Sequence, residues 1–261
     1  MKKLRSITDK LYSLTAIVAI LALWQIISMV GLVPSFMLPS PVQVVKAFVG
    51  DFSLLMMHSR ITLFEAFLGL SFGIMLGFLI AFLMDRFEPI RKAFYPLLVV
   101  TQTVPTVAIA PLLVLWFGYG ILPKVLLIIL TTFFPIAVGL FDGFQSVDSD
   151  AVNLMRSMGA SKNQIFKHIK FPASLNSFFA ALKISASYSI VGAVISEWLG
   201  GFSGLGVYMT RVIKSYSYDK MFAVIFLISI ISLLLMGGVQ MIHKKMTPWE
   251  LSPETEAKYN K

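Results

Sequence analysis

Two carboxylates, those of Glu65 and Glu197, lie in stretches of the sequence that are otherwise apolar. An ionisable group inside an apolar membrane span is energetically costly, so each is by default a candidate functional residue. The alternative is structural, because near a helix end such a group needs only a partner or a route to water. Suitable partners are Arg60 for Glu65, and Lys183 or Arg211 for Glu197. The structural interpretation is favoured, and both carboxylates remain candidates.

The sequence offers few other groups for chemistry. It has no cysteine, and its three histidines, His58, His168 and His243, do not form a cluster at metal-ligand spacing. No G-x-x-x-x-G-K-[ST] phosphate loop is present, so the chain is not expected to hydrolyse ATP. The H-E-x-x-H and G-x-S-x-G patterns of membrane proteases and lipases are missing too. We expect no catalytic residue, metal site or cofactor in this chain.

Composition indicates a lipid environment. The 261 residues are 57% hydrophobic and 13% charged, whereas soluble domains are about 25% charged. Crossing a hydrocarbon core of roughly 30 Å takes about 20 helical residues. Apolar stretches near this length lie at residues 11–32, 61–84, 93–117, 121–141, 176–199 and 221–242. The sequence therefore predicts an all-α, polytopic membrane helix bundle with about six transmembrane helices, in one domain over residues 1–261.

The net charge of +9 is explained by the positive-inside rule, and no nucleic-acid partner is predicted. Six spans place both termini on one side, and most basic residues fall in the segments on that side. The predicted outer segments hold only Lys46, Arg60, Lys124, Arg211, Lys214 and Lys220. We therefore predict a multi-pass protein of the cell membrane with both termini in the cytoplasm.

The third apolar stretch contains three prolines and a short polar run. Proline frees a helix carbonyl, which in lipid is tolerated only next to protein or a water-filled cavity. Beside Pro105, the side chains of Thr101, Gln102 and Thr103 offer uncharged hydrogen-bonding groups. These four residues, with Glu65 and Glu197, are the candidates for lining a passage, and a plain packing role is an equal alternative. A passage lined by glutamate would favour neutral or cationic cargo.

Two smaller patterns concern packing. Gly73 and Gly77 are spaced to let two helices approach closely, within one bundle rather than in a dimer. The Ser40-Pro41 pair, followed by Val42, Val45, Phe48, Val49 and Phe52, predicts a capped amphipathic helix on the outer surface.

A long polar segment, residues 142–172, is predicted on the cytoplasmic side. Its first helix, 149–158, would end at Gly159, and its second would begin with a capping box of Ser161 and Gln164 and stop at Pro172. Apolar side chains on the two helices are Val152, Met155 and Met158, and then Ile165, Phe166 and Ile169. Such a rigid hairpin suits the groove of a cytosolic partner. An amphipathic hairpin without a partner is the alternative.

This segment resembles the EAA loop of binding-protein-dependent ABC importer permeases. Asp150-Ala151-Val152 lies near its opening, Gly159-Ala160 supplies the glycine, and Ile169 to Pro172 supplies the ending, with Phe171 where the family usually has leucine. The resemblance implies that this loop contacts an ATPase subunit. The residues implied are Asp150, Ala151, Val152, Met155, Met158, Gly159, Ala160, Ser161, Gln164, Ile165, Phe166, Ile169 and Pro172.

The resemblance extends over residues 38–249 and is greatest to the branch of nitrate, sulfonate, taurine and thiamine-precursor permeases. It rests on the stretches 101–105 with 110–112, 116–120, and 196–200 with 204–206. Residues 62–66 and 133–136 look most like the thiamine pyrimidine precursor group.

This resemblance implies a type I importer permease fold. It also implies two cytosolic ATPase subunits that use ATP and Mg, a second permease copy in a homodimer, and an extracytoplasmic solute-binding protein. The implied cargo is a thiamine pyrimidine precursor, with sulfonate, taurine or nitrate as alternatives. A self-sufficient secondary transporter or channel is the other functional class. Inverted repeats and charged relay residues, which such a transporter usually has, are not evident.

Overall fold

The computed structural model describes residues 2–31, 33–34 and 36–248, which contain helices and no strands. Leu32, where the first predicted span ends, and residues 249–261 lie outside the described part. The helices are α1 (Lys2–Val30), α2 (Pro41–Gly50), α3 (Phe52–Arg86), α4 (Glu88–Thr101), α5 (Thr106–Phe117), α6 (Ile121–Gln145), α7 (Ser149–Ser157), α8 (Lys162–Ile165), α9 (Phe171–Gly200), α10 (Leu205–Lys214) and α11 (Tyr218–Met246).

Among the described residues, α3, α6, the continuous helix Lys162–Leu199 and α11 are long and apolar enough to cross a membrane. The bent pair α4 and α5 would make five spans if it is counted as one. The apolar part of α1, Thr15–Val30, is shorter; at about 1.5 Å per residue it spans about 24 Å. The all-α membrane bundle is confirmed, and within the described residues length and composition support four spans, or five with the bent pair.

The third predicted span is not one straight helix. α4 and α5 meet at an angle of 101° across a short break. Pro105 precedes α5 and cannot donate a backbone hydrogen bond, and it forces Val104 away from helical geometry. The span is therefore broken at Pro105, whereas Pro96 and Pro111 lie within α4 and α5.

The centre of the bundle is the contact of α6 with α3 on one side and α9 on the other. A Cβ atom at Gly73 would overlap the Thr132 hydroxyl of α6, and one at Gly77 would lie 2.8 Å from a methyl carbon of Ile136. Gly69 faces Ile128 in the same way and extends the pattern by one turn. The prediction that Gly73 and Gly77 serve packing within the bundle is confirmed.

α3 begins at Phe52, well before the predicted residue 61. The apolar pattern is interrupted at His58 and Ser59, which are polar but only 1% and 4% exposed. They are buried because other helices cover this end of α3, which the local sequence does not reveal.

The predicted helix after Ser40 is α2, and its capping box is present. The Ser40 N–H donates to Gln43 Oε1 at 2.7 Å, and the Gln43 N–H donates to Ser40 Oγ at 3.3 Å. The predicted apolar face is only partly the packing face: Val44 is buried and Phe48 partly so, whereas Val42, Val45, Val49 and Phe52 are exposed. The helix is confirmed, and its face is rotated from the predicted one because it packs against α11.

Candidate functional site

Two capped helices form the polar hairpin, as predicted. α7 is followed by Gly159 with φ +83°, and the Ala160 N–H donates to the Met155 carbonyl at 3.0 Å. The Ser161 N–H then donates to Gln164 Oε1 at 2.7 Å, and the Gln164 N–H donates back to Ser161 Oγ at 3.3 Å. A left-handed glycine and a capping box thus fix the angle between α7 and α8.

Pro172 does not end the second helix, so that prediction is wrong. A π-helical turn over Phe166–Lys170 joins α8 to α9, and the Phe171 N–H bonds the Phe166 carbonyl five residues back. Pro172 then sits in the first turn of α9, where its missing N–H is tolerated. The hairpin therefore continues directly into a membrane-spanning helix, which runs unbroken over Lys162–Leu199.

The apolar side chains of the second helix point into the bundle. Ile165 is 5% exposed, and the Phe166 ring lies 5.0 Å from that of Phe82 on α3 and 5.2 Å from that of Phe144 on α6. Ile169 is partly buried. These residues hold the hairpin to the bundle and leave little for a partner to contact.

A polar contact reinforces this attachment. Asp85 at the end of α3 accepts a hydrogen bond from Lys170 Nζ at 2.5 Å and one from Gln145 Nε2 at 3.0 Å. The carboxylate thereby ties the ends of α3 and α6 to the π-helical turn.

The exposed apolar residues here are Leu154 on α7 and Met158 at its C-cap, which are 63% and 78% exposed. Their spacing of four residues places them on one helix face. Of the three apolar docking residues predicted here, Val152 and Met155 are partly buried, and only Met158 is freely accessible. Sequence reasoning missed Leu154, although its spacing from Met158 could have indicated it. The remaining predicted residues lie on the hairpin surface or are partly buried there: Asp150, Ala151, Ala160, Ser161 and Gln164.

A cavity of about 260 Å³ opens beside the break between α4 and α5, against α6 and α9. Its polar lining comes from Thr101, Gln102, Thr106, Thr131 and Tyr188, and the rest of its described lining is apolar or glycine, with no charged side chain. Small-molecule sites commonly combine such an apolar wall with a few polar groups. The cavity can therefore hold an uncharged solute that makes hydrogen bonds.

The predicted passage residues divide into two groups. Thr101 and Gln102 line the cavity, whereas Thr103 and Pro105 are exposed beside it. Glu65 and Glu197 do not line it, being 4% and 1% exposed in the interior of the bundle.

The predicted partners of the two carboxylates are also wrong. Glu65 Oε1 accepts from Lys124 Nζ at 2.6 Å rather than from Arg60. Glu197 Oε1 accepts from the Thr62 hydroxyl at 2.7 Å, and Oε2 accepts from the Gly206 N–H at 2.6 Å. These partners are distant in the sequence and meet because α3, α6, α9 and α10 converge here.

The start of α10 is capped by side chains of other helices. Its first N–H groups would otherwise lack acceptors. The Gly204 N–H donates to His58 Nδ1 at 2.9 Å, the Leu205 N–H donates to Thr62 Oγ1 at 2.9 Å, and Glu197 accepts from Gly206. Gly204 has φ +122°, and a Cβ there would overlap the Glu197 carboxylate. The glycines at 204 and 206 thus allow the helix to reach its acceptors. We call this arrangement the α10 cap.

A polar contact at Asp51 holds the N-terminal end of α3, at the opposite end of the helix from Asp85. Asp51 accepts hydrogen bonds from the Tyr208 hydroxyl at 2.6 Å and from Lys220 Nζ at 2.8 Å. The bonds from Lys220 and Tyr208 lower the pKa of Asp51 below its usual value. Burial, together with the hydrogen bond to Asp51, raises the pKa of Tyr208.

Sequence reasoning did not select His58, Thr62 or Lys124. The first two could have been found, because His58, Thr62 and Glu65 recur at spacings of four and three and so share one face of α3. Lys124 was placed in an outer segment, yet it is 5% exposed in the first turn of α6.

Comparisons with known proteins identify the family. The family described as binding-protein-dependent transport system inner membrane component matches residues 73–248. The chain belongs to this family. It is 37% identical to the formylaminopyrimidine transport permease protein ThiX of Halalkalibacterium halodurans, over 88% of this chain and 92% of that protein. It is 31% identical to the putative aliphatic sulfonates transport permease protein SsuC of Bacillus subtilis, over 90% of this chain and 86% of that protein.

Solved structures show the same fold. The methionine ABC transporter MetNI in an inward-facing conformation matches with a TM-score of 0.62 at 17% identity, over 76% of this chain and 98% of that chain. An amino acid ABC transporter matches with a TM-score of 0.56 at 20% identity, over 76% of this chain and 96% of that chain. The protein is therefore a permease subunit of an ABC importer with the type I fold, as the sequence predicted.

The α10 cap can be tested at Thr62, whose hydroxyl both donates and accepts. Thr62→Val keeps the shape but removes a partner from the Leu205 N–H and from Glu197 Oε1. An unsatisfied buried polar group costs about 1–3 kcal/mol. We expect a lower thermal unfolding midpoint and faster proteolysis near residues 200–217. Thr62→Ser keeps the hydroxyl and should behave as the parent. Equal midpoints for the two variants would contradict the cap.

Proposed function

We propose that this permease imports a small uncharged heterocycle of the formylaminopyrimidine type. Two observations support this cargo. The formylaminopyrimidine permease of H. halodurans is 37% identical to this chain, against 31% for the aliphatic sulfonate permease of B. subtilis. The cavity beside the α4–α5 break also offers hydroxyl and amide groups but no cation that would attract sulfonate or nitrate. Glu65 and Glu197 do not select the charge of the cargo, because both lie outside the cavity.

In this proposal Thr101, Gln102, Thr131 and Tyr188 contact the passing solute. Amide and hydroxyl groups both donate and accept hydrogen bonds, which matches the mixed donors and acceptors of an aminopyrimidine. Such contacts are weak and few, as a transport path requires, because a solute that binds tightly is released slowly.

The passage is completed by a second copy of the permease. The cavity beside the α4–α5 break is not closed by this chain, and apolar residues of the broken span are exposed: Leu97, Val99, Val100, Val104 and Leu115. Native mass spectrometry of the purified transporter should find two permease copies with two ATPase subunits. A fully active complex with one permease per two ATPases would exclude the homodimer.

Two cytosolic ATPase subunits, which bind ATP and Mg, dock one on each permease copy, at the face formed by Leu154 and Met158. The predicted coupling segment 142–172 is thereby divided by function. α7 and Gly159 meet the ATPase, whereas α8 and the π-helical turn transmit its movement to α9. The Asp85–Lys170 ion pair passes the same movement to α3.

Charge on the docking face tests this coupling. Leu154→Asp and Met158→Asp should insert normally, because both side chains are exposed in the free chain, but should bury an unpaired charge against the ATPase. Disrupting an interface anchor costs about 2 kcal/mol or more, on the order of 30-fold in affinity. We expect loss of ATPase co-purification and of transport.

A substitution at Gly159 tests the same coupling to the ATPase through the backbone. A Cβ there meets nothing within 4 Å, so Gly159→Val acts only through its positive φ, at about 1–2 kcal/mol. It should weaken coupling without affecting insertion. Lys162→Gln, on an exposed position of α8, is the control and should be nearly silent. Parental transport by both aspartate variants would show that α7 is not the mechanical link.

The proposed orientation places the hairpin and both termini in the cytoplasm, and the solute-binding protein on the opposite face. The chain has no cysteine, so Lys162→Cys gives one labelling site that leaves the Ser161 capping box intact. An impermeant thiol reagent should label it only after the cells are opened. Labelling of intact cells would reverse the topology.

A further inference from the structure

Three ionisable side chains meet in the interior of the bundle where α3, α6 and α9 converge. Glu65, Lys124 and Glu197 are 4%, 5% and 1% exposed, and each belongs to a helix that can span the membrane. Two acids and one base give a net charge of −1 if all three are ionised. A net charge buried in a membrane protein is costly unless it is compensated.

One atom of this cluster lacks a partner. Glu65 Oε1 accepts from Lys124 at 2.6 Å, but Glu65 Oε2 is buried without any hydrogen bond. Glu197 is the other acid of this cluster, and its carboxyl group interacts electrostatically with that of Glu65. Both Glu197 oxygens already accept, from Thr62 and Gly206. Glu65 Oε2 is therefore a buried acceptor without a donor, in a cluster with a second carboxyl group whose two oxygens already accept, and two neighbouring carboxylates cannot both ionise cheaply.

No other described cation compensates the pair. On α3, His58 Nδ1 accepts from the Gly204 N–H, and Arg60 is exposed. On α10, Tyr208 is bonded to Asp51, Arg211 bonds the Phe202 carbonyl at an exposed site, and Lys214 is exposed. Lys183 on α9 is not bonded to either glutamate. Lys124 is the one described cation bonded to either glutamate. The buried cluster therefore contains two acids and one base, and it carries a net charge of −1 when all three are ionised.

We propose that Glu65 and Glu197 form a proton-binding pair, which holds one proton beside Lys124 and makes the buried cluster electrically neutral. The proton resides on Glu65 Oε2 and is donated to the Glu197 carboxylate. It supplies the hydrogen bond that Glu65 lacks, and it leaves Glu197 ionised to accept from the α10 cap. The pair thus joins α3, α6, α9 and α10 without placing a net charge in the membrane.

Infrared spectroscopy of the purified permease in nanodiscs at neutral pH tests this directly. We expect a carbonyl stretch of a protonated carboxyl group, shifted in D2O, with the intensity of one group per chain. Exposed carboxyl groups are ionised at this pH and do not contribute. A parental spectrum without this band would overturn the proposal, and so would a band with the intensity of two groups.

Variants assign the band to the pair. Glu65→Gln or Glu197→Gln leaves one carboxylate and one ammonium, so either should abolish the band. Glu88→Gln, at an exposed ion pair with Lys92, is the control and should keep it. Lys124→Met removes the only base and should raise the intensity to two groups. A band that survives in both glutamine variants of the pair would show that the proton is held elsewhere.

The two glutamine variants also locate the proton. The Glu65→Gln amide can accept from Lys124 and donate to Glu197 as a protonated carboxyl would, so its thermal unfolding midpoint should match the parent. In Glu197→Gln the amide N–H₂ would face the Thr62 hydroxyl or the Gly206 N–H, a donor against a donor. This midpoint should fall. The reverse order of the two midpoints would overturn the placement on Glu65.

Discussion

The close approach of α3 to α6 is the contact on which both ends of this permease depend. Gly69, Gly73 and Gly77 let the two helices pack until side chains of α6 touch the backbone of α3. In lipid there is no hydrophobic force between helices, so close packing and polar contacts must hold them together. Larger residues at these glycines would separate the helices and move every group at their two ends.

At one end of this contact the polar groups make a fixed assembly. Glu65 and Lys124 meet across α3 and α6, and Glu197 brings in α9 and the start of α10. At the other end, Asp85 and Lys170 join α3 to the π-helical turn, with Phe166 packed between α3 and α6. The same three helices therefore connect the α10 cap to the hairpin through continuous helices rather than through loops.

Local patterns predicted local structure well. The features predicted correctly depend on residues close in sequence: the capping box at Ser161, the glycine at 159 and the apolar composition of the spans. Partners of buried charges could not be predicted in this way, because Glu65 and Lys124 are 59 residues apart and Thr62 and Glu197 are 135 apart. The prediction that the second hairpin helix ends at Pro172 was wrong for a local reason. In the sequence, a proline that follows a π-helical turn looks the same as a proline that stops a helix.

Reconstitution of transport tests the central claim most directly. Proteoliposomes would contain this permease, its ATPase and its solute-binding protein, with labelled formylaminopyrimidine outside and ATP with Mg²⁺ available to the ATPase. The account predicts uptake only when all three proteins and ATP are present, and no competition from excess aliphatic sulfonate. ATP-driven uptake of sulfonate instead would refute the proposed cargo but keep the permease. Accumulation by this chain alone, driven by an ion gradient without the ATPase, would contradict the account as a whole.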